Sequence, residues 1–187
     1  MCDKPVAAGK SSLDLIDKEK ALALMDIQPD WRFADLACGP GDYSIEIARR
    51  VGEAGIVYAV DLWREGIEAL GRLIAARGIG NIETVWADIR SRLPFADRSI
   101  DACLLATILH DLPAADRPST LRETARILKP AGVLNIIEFK KTGRGPGPPQ
   151  RVRLDEQDIE ALVTPFGFTR LDGSEVGEFL YLLKYEK

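Results

Sequence analysis

Apolar residues along this chain switch repeatedly between two spacings. Phe33–Ala37 is a short apolar run around Asp35, and from Tyr43 to Val51 the spacing turns helical, with Ile47 and Val51 four apart. Ile56–Val60 is a β-branched and aromatic run ending at Asp61, and Ile67, Leu70 and Ile74 form a helical stripe closed by Gly78 and Gly80. Ile82–Trp86 is a third strand that ends at Asp88, and Ile100–Ala106 is a fourth. Leu121, Ala125 and Leu128 predict a helix stopped by Pro130, and Val133–Phe139 predicts a fifth strand. Strand and helix in this rhythm imply βαβ units and a parallel sheet covered on both faces, because strands buried on both sides read as continuous apolar runs.

The flanks depart from that rhythm. Leu13 to Ile27 reads as one helix, with Leu15, Ile16, Leu22 and Ala23 near helical spacing and Pro29 as its stop. Lys140 to Arg153 (KKTGRGPGPPQRVR) mixes glycines, prolines and cations without an acid, so it is expected to be a flexible basic loop. Asp155–Pro165 predicts a short helix with Asp155 as its cap. Phe168–Leu171 and Glu178–Tyr185 predict two strands, with Gly173 and Gly177 between them. No helix fits in that gap, so the two strands should pair antiparallel at one edge.

A length of 187 residues suits one domain over 1–187, with 1–28 as an N-terminal helical cover. Composition narrows the function classes. At 46% hydrophobic and 29% charged the chain can fold, and a net charge of −4 removes the basic footprint that phosphate neutralisation needs. No nucleic-acid partner is expected. The three cysteines (Cys2, Cys38, Cys103) form no paired spacing, so neither a disulfide framework nor a zinc site is expected. Met1 to Ser12 has no continuous apolar stretch, and no run approaches the ~20 residues that span a bilayer, so a cytoplasmic location is expected.

In an open α/β sheet, ligands bind outside the carboxyl ends of the strands, near the reversal of strand order. The first strand ends in DLACGPGD, Asp35 to Asp42, where Gly39 and Gly41 allow a sharp turn and close approach to a ligand. Asp61 ends the second strand about twenty residues past Gly41, where a carboxylate can accept both hydroxyls of a ribose. Asp88 ends the third, within reach of an adenine amino group. Each acid alone reads equally as a turn or cap residue. Three acids at successive strand ends around one glycine loop read as an adenosine site.

These residues carry a family resemblance. FADLACGPGDYS resembles motif I of class I S-adenosyl-L-methionine (SAM)-dependent methyltransferases, and VYAVDL resembles motif II. VWADIRSRLPFADRSIDACLLATILHDL resembles the third and fourth motifs, and LKPAGVLNIIEF the fifth-strand segment, closest to the ubiquinone/menaquinone-type branch. The resemblance implies a Rossmann-like, doubly wound α/β fold of seven strands in order 3-2-1-4-5-7-6, with strand 7 antiparallel. It implies that Asp35, Gly39 and Gly41 surround the methionine moiety of SAM, Asp61 the ribose, and Asp88 with Ile89 the adenine. Leu105 and Ala106 would offer backbone groups to the amino-acid end, and Leu62, beside Asp61, joins the cofactor-binding set. The family usually has Gly where this chain has Ala37.

The implied reaction is methyl transfer from SAM, leaving S-adenosyl-L-homocysteine, to an acceptor expected to be a small molecule. It is an in-line displacement in which positioning supplies much of the rate. His110, the only histidine, follows the fourth strand, and its imidazole is the candidate base with Asp111 to orient it. It reads alternatively as a turn histidine or as part of the pocket wall. Tyr43 either reaches the cofactor or caps the helix after the glycine loop, and Trp63 is a candidate border for the adenine. Cys38 and Cys103 read as core residues. Lys140, Lys141, Arg144, Arg151 and Arg153 form either a solvated loop or a gate for an anionic acceptor.

Two other classes share parts of the pattern. A non-catalytic SAM-binding regulator would keep the same cofactor residues. An NAD-dependent oxidoreductase expects GxGxxG, whereas the loop here runs Gly39-Pro40-Gly41-Asp42-Tyr43-Ser44 and lacks the third glycine. With no large lid in the sequence, either a second protomer completes the pocket in a homodimer, or the site is open for a bulky acceptor. No resident metal is expected.

Overall fold

Alternate residues of each central strand pack into separate apolar layers, and the computed structural model, which describes residues 9–143 and 145–187, shows what covers each layer. The strands are β1 (Arg32–Leu36), β2 (Ile56–Asp61), β3 (Ile82–Trp86), β4 (Ile100–Ala106), β5 (Leu128–Phe139), β6 (Thr169–Glu175) and β7 (Leu180–Glu186). They form one sheet in the order β3-β2-β1-β4-β5-β7-β6. The first five are parallel, and β7 runs antiparallel to both β5 and β6.

Phe33, Val57, Ala59 and Leu104 pack against α1 (Lys18–Met25), α2 (Asp42–Val51) and α3 (Arg64–Ala76). Ala34, Tyr58, Val60, Cys103 and Leu105 pack against α4 (Arg117–Ile127) and α5 (Glu156–Val163) on the opposite face. The two connections that leave β1 and its neighbour β4 therefore run to opposite faces, which opens the crevice at their carboxyl ends. Only Val176 to Phe179 separates β6 from β7, too short for a crossover helix, so β7 must return antiparallel. No helix among the described residues is long and apolar enough to cross a membrane.

Local rules fail at three places. The helix expected over 13–27 is split into a 3-10 turn, Leu13–Leu15, and α1. Asp17 caps α1 by accepting from the Lys20 N–H at 3.0 Å, while its own N–H donates to the Val176 carbonyl at 2.6 Å. Ile16 is left extended, and the segment becomes a strap tied to the β6–β7 link. At its other end α1 stops at Asp26, in the left-handed region, short of Pro29. Leu128, expected in the fourth helix, instead begins β5. Pro130 biases Lys129 toward extended backbone, so the chain leaves the helix early and pairs Leu128 with Ile100. Gly173, expected between the last two strands, lies inside β6. Asp155 does cap α5, in a capping box with Asp158.

Several described residues of the basic segment 140–153 are held closely. Arg153 is 3% exposed, and its guanidinium donates to the carbonyls of Pro148, Lys140 and Pro146 at 2.9, 2.8 and 2.7 Å while lying over the Phe139 ring. Gly147 packs so close to Phe139 that a Cβ would fall 2.5 Å from the ring. Lys140 pairs with Glu175 at 3.0 Å, and Lys141 with Asp155 and Asp158. Arg151 is exposed, and Arg144 lies outside the described residues. Arg153→Ala strands three carbonyls that accept from a cation, which should lower stability by about 3 kcal/mol. Urea unfolding reads that loss, and limited proteolysis should show faster cleavage within 140–153.

Candidate functional site

The rim of the crevice starts at the end of β1. Ala37, Gly39 and Gly41 all have positive φ, at +66°, +56° and +87°. Gly41 abuts α3, since a Cβ there would lie 2.5 Å from the Leu70 methyls, and at Gly39 a Cβ would lie 3.2 Å from the Lys10 carbonyl of the strap. The loop thus lies between a helix and the N-terminal segment, and only glycine meets both the conformation and the space. Ala37 adopts the left-handed region at a cost of about 1–2 kcal/mol, which accounts for the glycine usual in the resembling family.

The carboxylates have unlike surroundings. Asp35 is 1% exposed, and its Oδ2 accepts from Ser44 Oγ at 2.6 Å. Burial pushes its carboxyl up to about 7 against the Ser44 hydrogen bond, with help from the charges of Asp61 and Asp42. Asp61 accepts the Gly39 N–H on Oδ2 at 2.8 Å and the Trp63 N–H on Oδ1 at 2.7 Å. It is therefore a turn residue and the anchor of the glycine loop at once. A carboxylate has about four lone-pair sites, so acceptor capacity remains for a diol. Asp88 differs: its carboxylate is taken by the Arg90 guanidinium at 2.9 and 2.7 Å, and that pairing holds its pKa low. Ile89 is buried in the core. Trp63 packs on Gly66, while Trp86, at the end of β3, is 55% exposed and donates from Nε1 to the Leu62 carbonyl at 3.1 Å.

At the end of β4, Leu105 is buried in the core and Ala106 half-buried. Thr107 has a φ of +52°, an uncommon conformation for a β-branched residue. Its hydroxyl lies 3.4 Å from Ser12 Oγ, which is 3.0 Å from the Tyr43 hydroxyl, so Tyr43 engages the strap and caps no helix with its side chain. Burial raises the Tyr43 phenol above its ordinary range.

His110 is buried, with a side chain 4% exposed. Its Nδ1 lies 2.7 Å from Glu138 Oε2, its backbone N–H donates to Glu138 Oε1 at 3.2 Å, and its Nε2 lies 3.4 Å from Asp111 Oδ1. The Phe139 ring meets it edge-on. Burial lowers its pKa, but Glu138 and Asp111 outweigh burial and the opposing Arg117, so the net shift is upward. The structure thus adds Glu138, which the sequence marked only as one acid inside an apolar run. Cys38 and Cys103 are buried thiols whose pKa values burial raises, so neither is placed as a nucleophile. Cys2 lies outside the described residues.

Residues 33–132 match the model of a family described as a methyltransferase domain. The chain belongs to this family. A demethylmenaquinone methyltransferase from Geobacillus kaustophilus is 31% identical over 121 residues, 65% of this chain and 50% of its own. A 2-phytyl-1,4-naphtoquinone methyltransferase from Trichormus variabilis is 35% identical over 125 residues, 66% of this chain and 53% of its own. The chain spans about half the length of these curated relatives. A crystal structure of a SAM-dependent methyltransferase from Aquifex aeolicus superposes with a TM-score of 0.86 at 27% identity, covering 95% of this chain and 94% of that one. The strand order 3-2-1-4-5-7-6 agrees with the fold that the motifs implied. SAM is the cofactor of this chain.

The rim suits that cofactor. SAM carries a sulfonium and an ammonium, and among the described residues no ion pair joins Asp35, Asp42 or Asp61 to a protein cation. Two outcomes follow for the protein without ligand. The folded state holds the Asp35 proton more tightly than the unfolded one, so stability is full below pH 3.8 and is lost as pH rises through about 7. Asp35→Asn should therefore gain stability relative to the parent as pH rises from 5 to 8, by urea midpoints at each pH. Ala37→Gly should raise stability by about 1 kcal/mol, the relieved strain exceeding the added unfolded-state entropy; a lower melting temperature would contradict this.

Proposed function

We propose that this chain transfers the methyl group of SAM to a small ring acceptor related to a quinol. The observation that carries the reading is the continuous rim formed by the glycine loop, Asp61 and the His110–Glu138 pair at the ends of β1, β2, β4 and β5. The cofactor, when bound, supplies an electrophilic methyl on sulfur. Gly39 and Gly41 give its methionine portion close backbone approach, Asp61 takes the ribose diol, and Asp35 and Asp42 favour its cationic groups. Ile89 lines the adenine, and Asp88 reaches the amino group only once Arg90 yields. The end of β4, Leu105 to Thr107, faces the amino-acid end.

The ring character of the acceptor rests on the relatives, named for demethylmenaquinone and a phytyl naphthoquinone. It also rests on the basic segment, where Lys140 and Lys141 are paired with acids and Arg153 is turned inward. These cations do little to draw an anion, which weighs against a charge gate. Bound SAM would supply the methyl group to the reduced ring and leave as S-adenosyl-L-homocysteine, and a base of this chain or water would take the ring or hydroxyl proton.

The test is incubation with SAM and a demethylated naphthoquinol under anaerobic reducing conditions, followed by mass spectrometry. The expected result is S-adenosyl-L-homocysteine together with a ring product heavier by one methyl. SAM at 100 times its Kd should also add ~2.7 kcal/mol of stability. A full thermal shift without turnover over a panel of ring acceptors would move the chain to the non-catalytic class. No shift at all would remove the cofactor assignment.

A further inference from the structure

Glu138 is fully buried at the end of β5, and it accepts from three donors, all close to His110. The backbone N–H of His110 reaches Oε1 at 3.2 Å, the Phe139 N–H reaches Oε2 at 3.2 Å, and His110 Nδ1 stands 2.7 Å from the same oxygen. A buried carboxylate is tolerated when its lone pairs are filled and a cation stands beside it. Among the described residues, the one ionisable cation in contact with it is His110. The far nitrogen of that ring, Nε2, stands 3.4 Å from Asp111 Oδ1, so the imidazole lies between two carboxylates. A neutral imidazole would set a lone pair against one of them, whereas an imidazolium donates to Glu138 from Nδ1 and places positive charge beside Asp111. Arg117, the first residue of α4, donates to the Leu109 carbonyl and is the charge that opposes this state. Glu138 is 0% exposed, His110 4% and Asp111 31%, all by side chain, so the row of three runs outward to the rim.

We propose that Glu138 is a positioning residue that holds the His110 ring with both nitrogens protonated, so that Asp111, and not the imidazole, is the proton-accepting group presented at the rim. The assignment of that base to methyl transfer rests on the function proposed above, whereas the state of the ring does not. His110 thereby loses the role of base that its place after β4 suggests. Its remaining role is to hold Asp111 in place and to lock the end of β4 to the end of β5 through the shared carboxylate.

The chain has a single histidine, so long-range proton–nitrogen spectra of tag-free, nitrogen-15-labelled protein show one ring without mutational assignment. The parent should show both ring nitrogens protonated at pH 7, a downfield Nδ1–H resonance, and a titration midpoint above that of free histidine. Glu138→Gln should lose the downfield resonance and lower the midpoint by on the order of one pH unit, a tenfold loss of proton affinity. Glu138→Asp should recover part of it. Asp111→Asn, at the more exposed end, should lower the midpoint by less and keep the Nδ1–H resonance, which serves if the Glu138 variants do not fold. A parent ring with a single protonated nitrogen at pH 7 would overturn the proposal, as would a folded Glu138→Gln with an unchanged titration. The spectra need neither cofactor nor acceptor, so a failure here is separate from a failure to release S-adenosyl-L-homocysteine.

Discussion

Asp61 ends β2 with one carboxylate oxygen on the Gly39 N–H and the other on the Trp63 N–H, and the glycine loop takes its shape from that bridge. Because β1 and β2 are parallel neighbours, the bridge spans two strand ends and holds the loop across the crevice. The backbone then turns through positive φ at Ala37, Gly39 and Gly41, and α2 starts directly after it. Asp35 is sealed beneath the loop with Ser44 as the donor to its carboxyl. Shape and charge arise together here, since the acid that organises the loop also raises the proton affinity of the acid below it. A cationic ligand at this rim eases the repulsion among carboxylates that the fold has forced together.

The parts legible in the sequence are those decided within a few residues. An apolar run followed by an acid marks a strand end, and two glycines separated by one residue mark the loop, so Asp35, Gly39, Gly41 and Asp61 could be named without coordinates. Glu138 could not, because its meaning depends on β4 and β5 lying side by side, which brings His110 to it across the rim. Arg153 was hidden for the opposite reason. In composition it is one cation among five in a loop of glycine and proline, and only packing against Phe139 shows that it points inward. The split of the first helix follows the same logic, since helical periodicity continues through Asp17 while a hydrogen bond to the distant Val176 carbonyl fixes the break.

Two segments remote in sequence converge on the two sides of this rim. The strap reaches it through Ser12, which touches the hydroxyls of Tyr43 and Thr107, and so joins the start of α2 to the end of β4. Segment 140–153 reaches it through Phe139, whose ring meets His110 at its edge and carries the Arg153 guanidinium over it. Phe139 thereby links the order of the loop to the order of the imidazole, because loosening Arg153 removes one of the contacts that fix the ring beside His110.

Charge is distributed unevenly between the halves of the rim. On the β1–β2 side, Asp35, Asp42 and Asp61 stand together, and the hydrogen bonds on Asp35 and Asp61 come from neutral donors, a hydroxyl and two backbone N–H groups. On the β4–β5 side the described groups are partnered or turned inward: His110 stands between Glu138 and Asp111, Lys140 pairs with Glu175, and the buried Arg153 guanidinium donates to three carbonyls. Uncompensated charge attracts a ligand of opposite sign, and a compensated surface gives no net pull on an ion. In the function proposed above, the first half would favour the cation that SAM is, and the second would receive a neutral, weakly polar ring. That division fits the charged donor and quinol-like acceptor proposed above, and it follows from side chains that lie far apart in the sequence and meet only because β1 stands between β2 and β4.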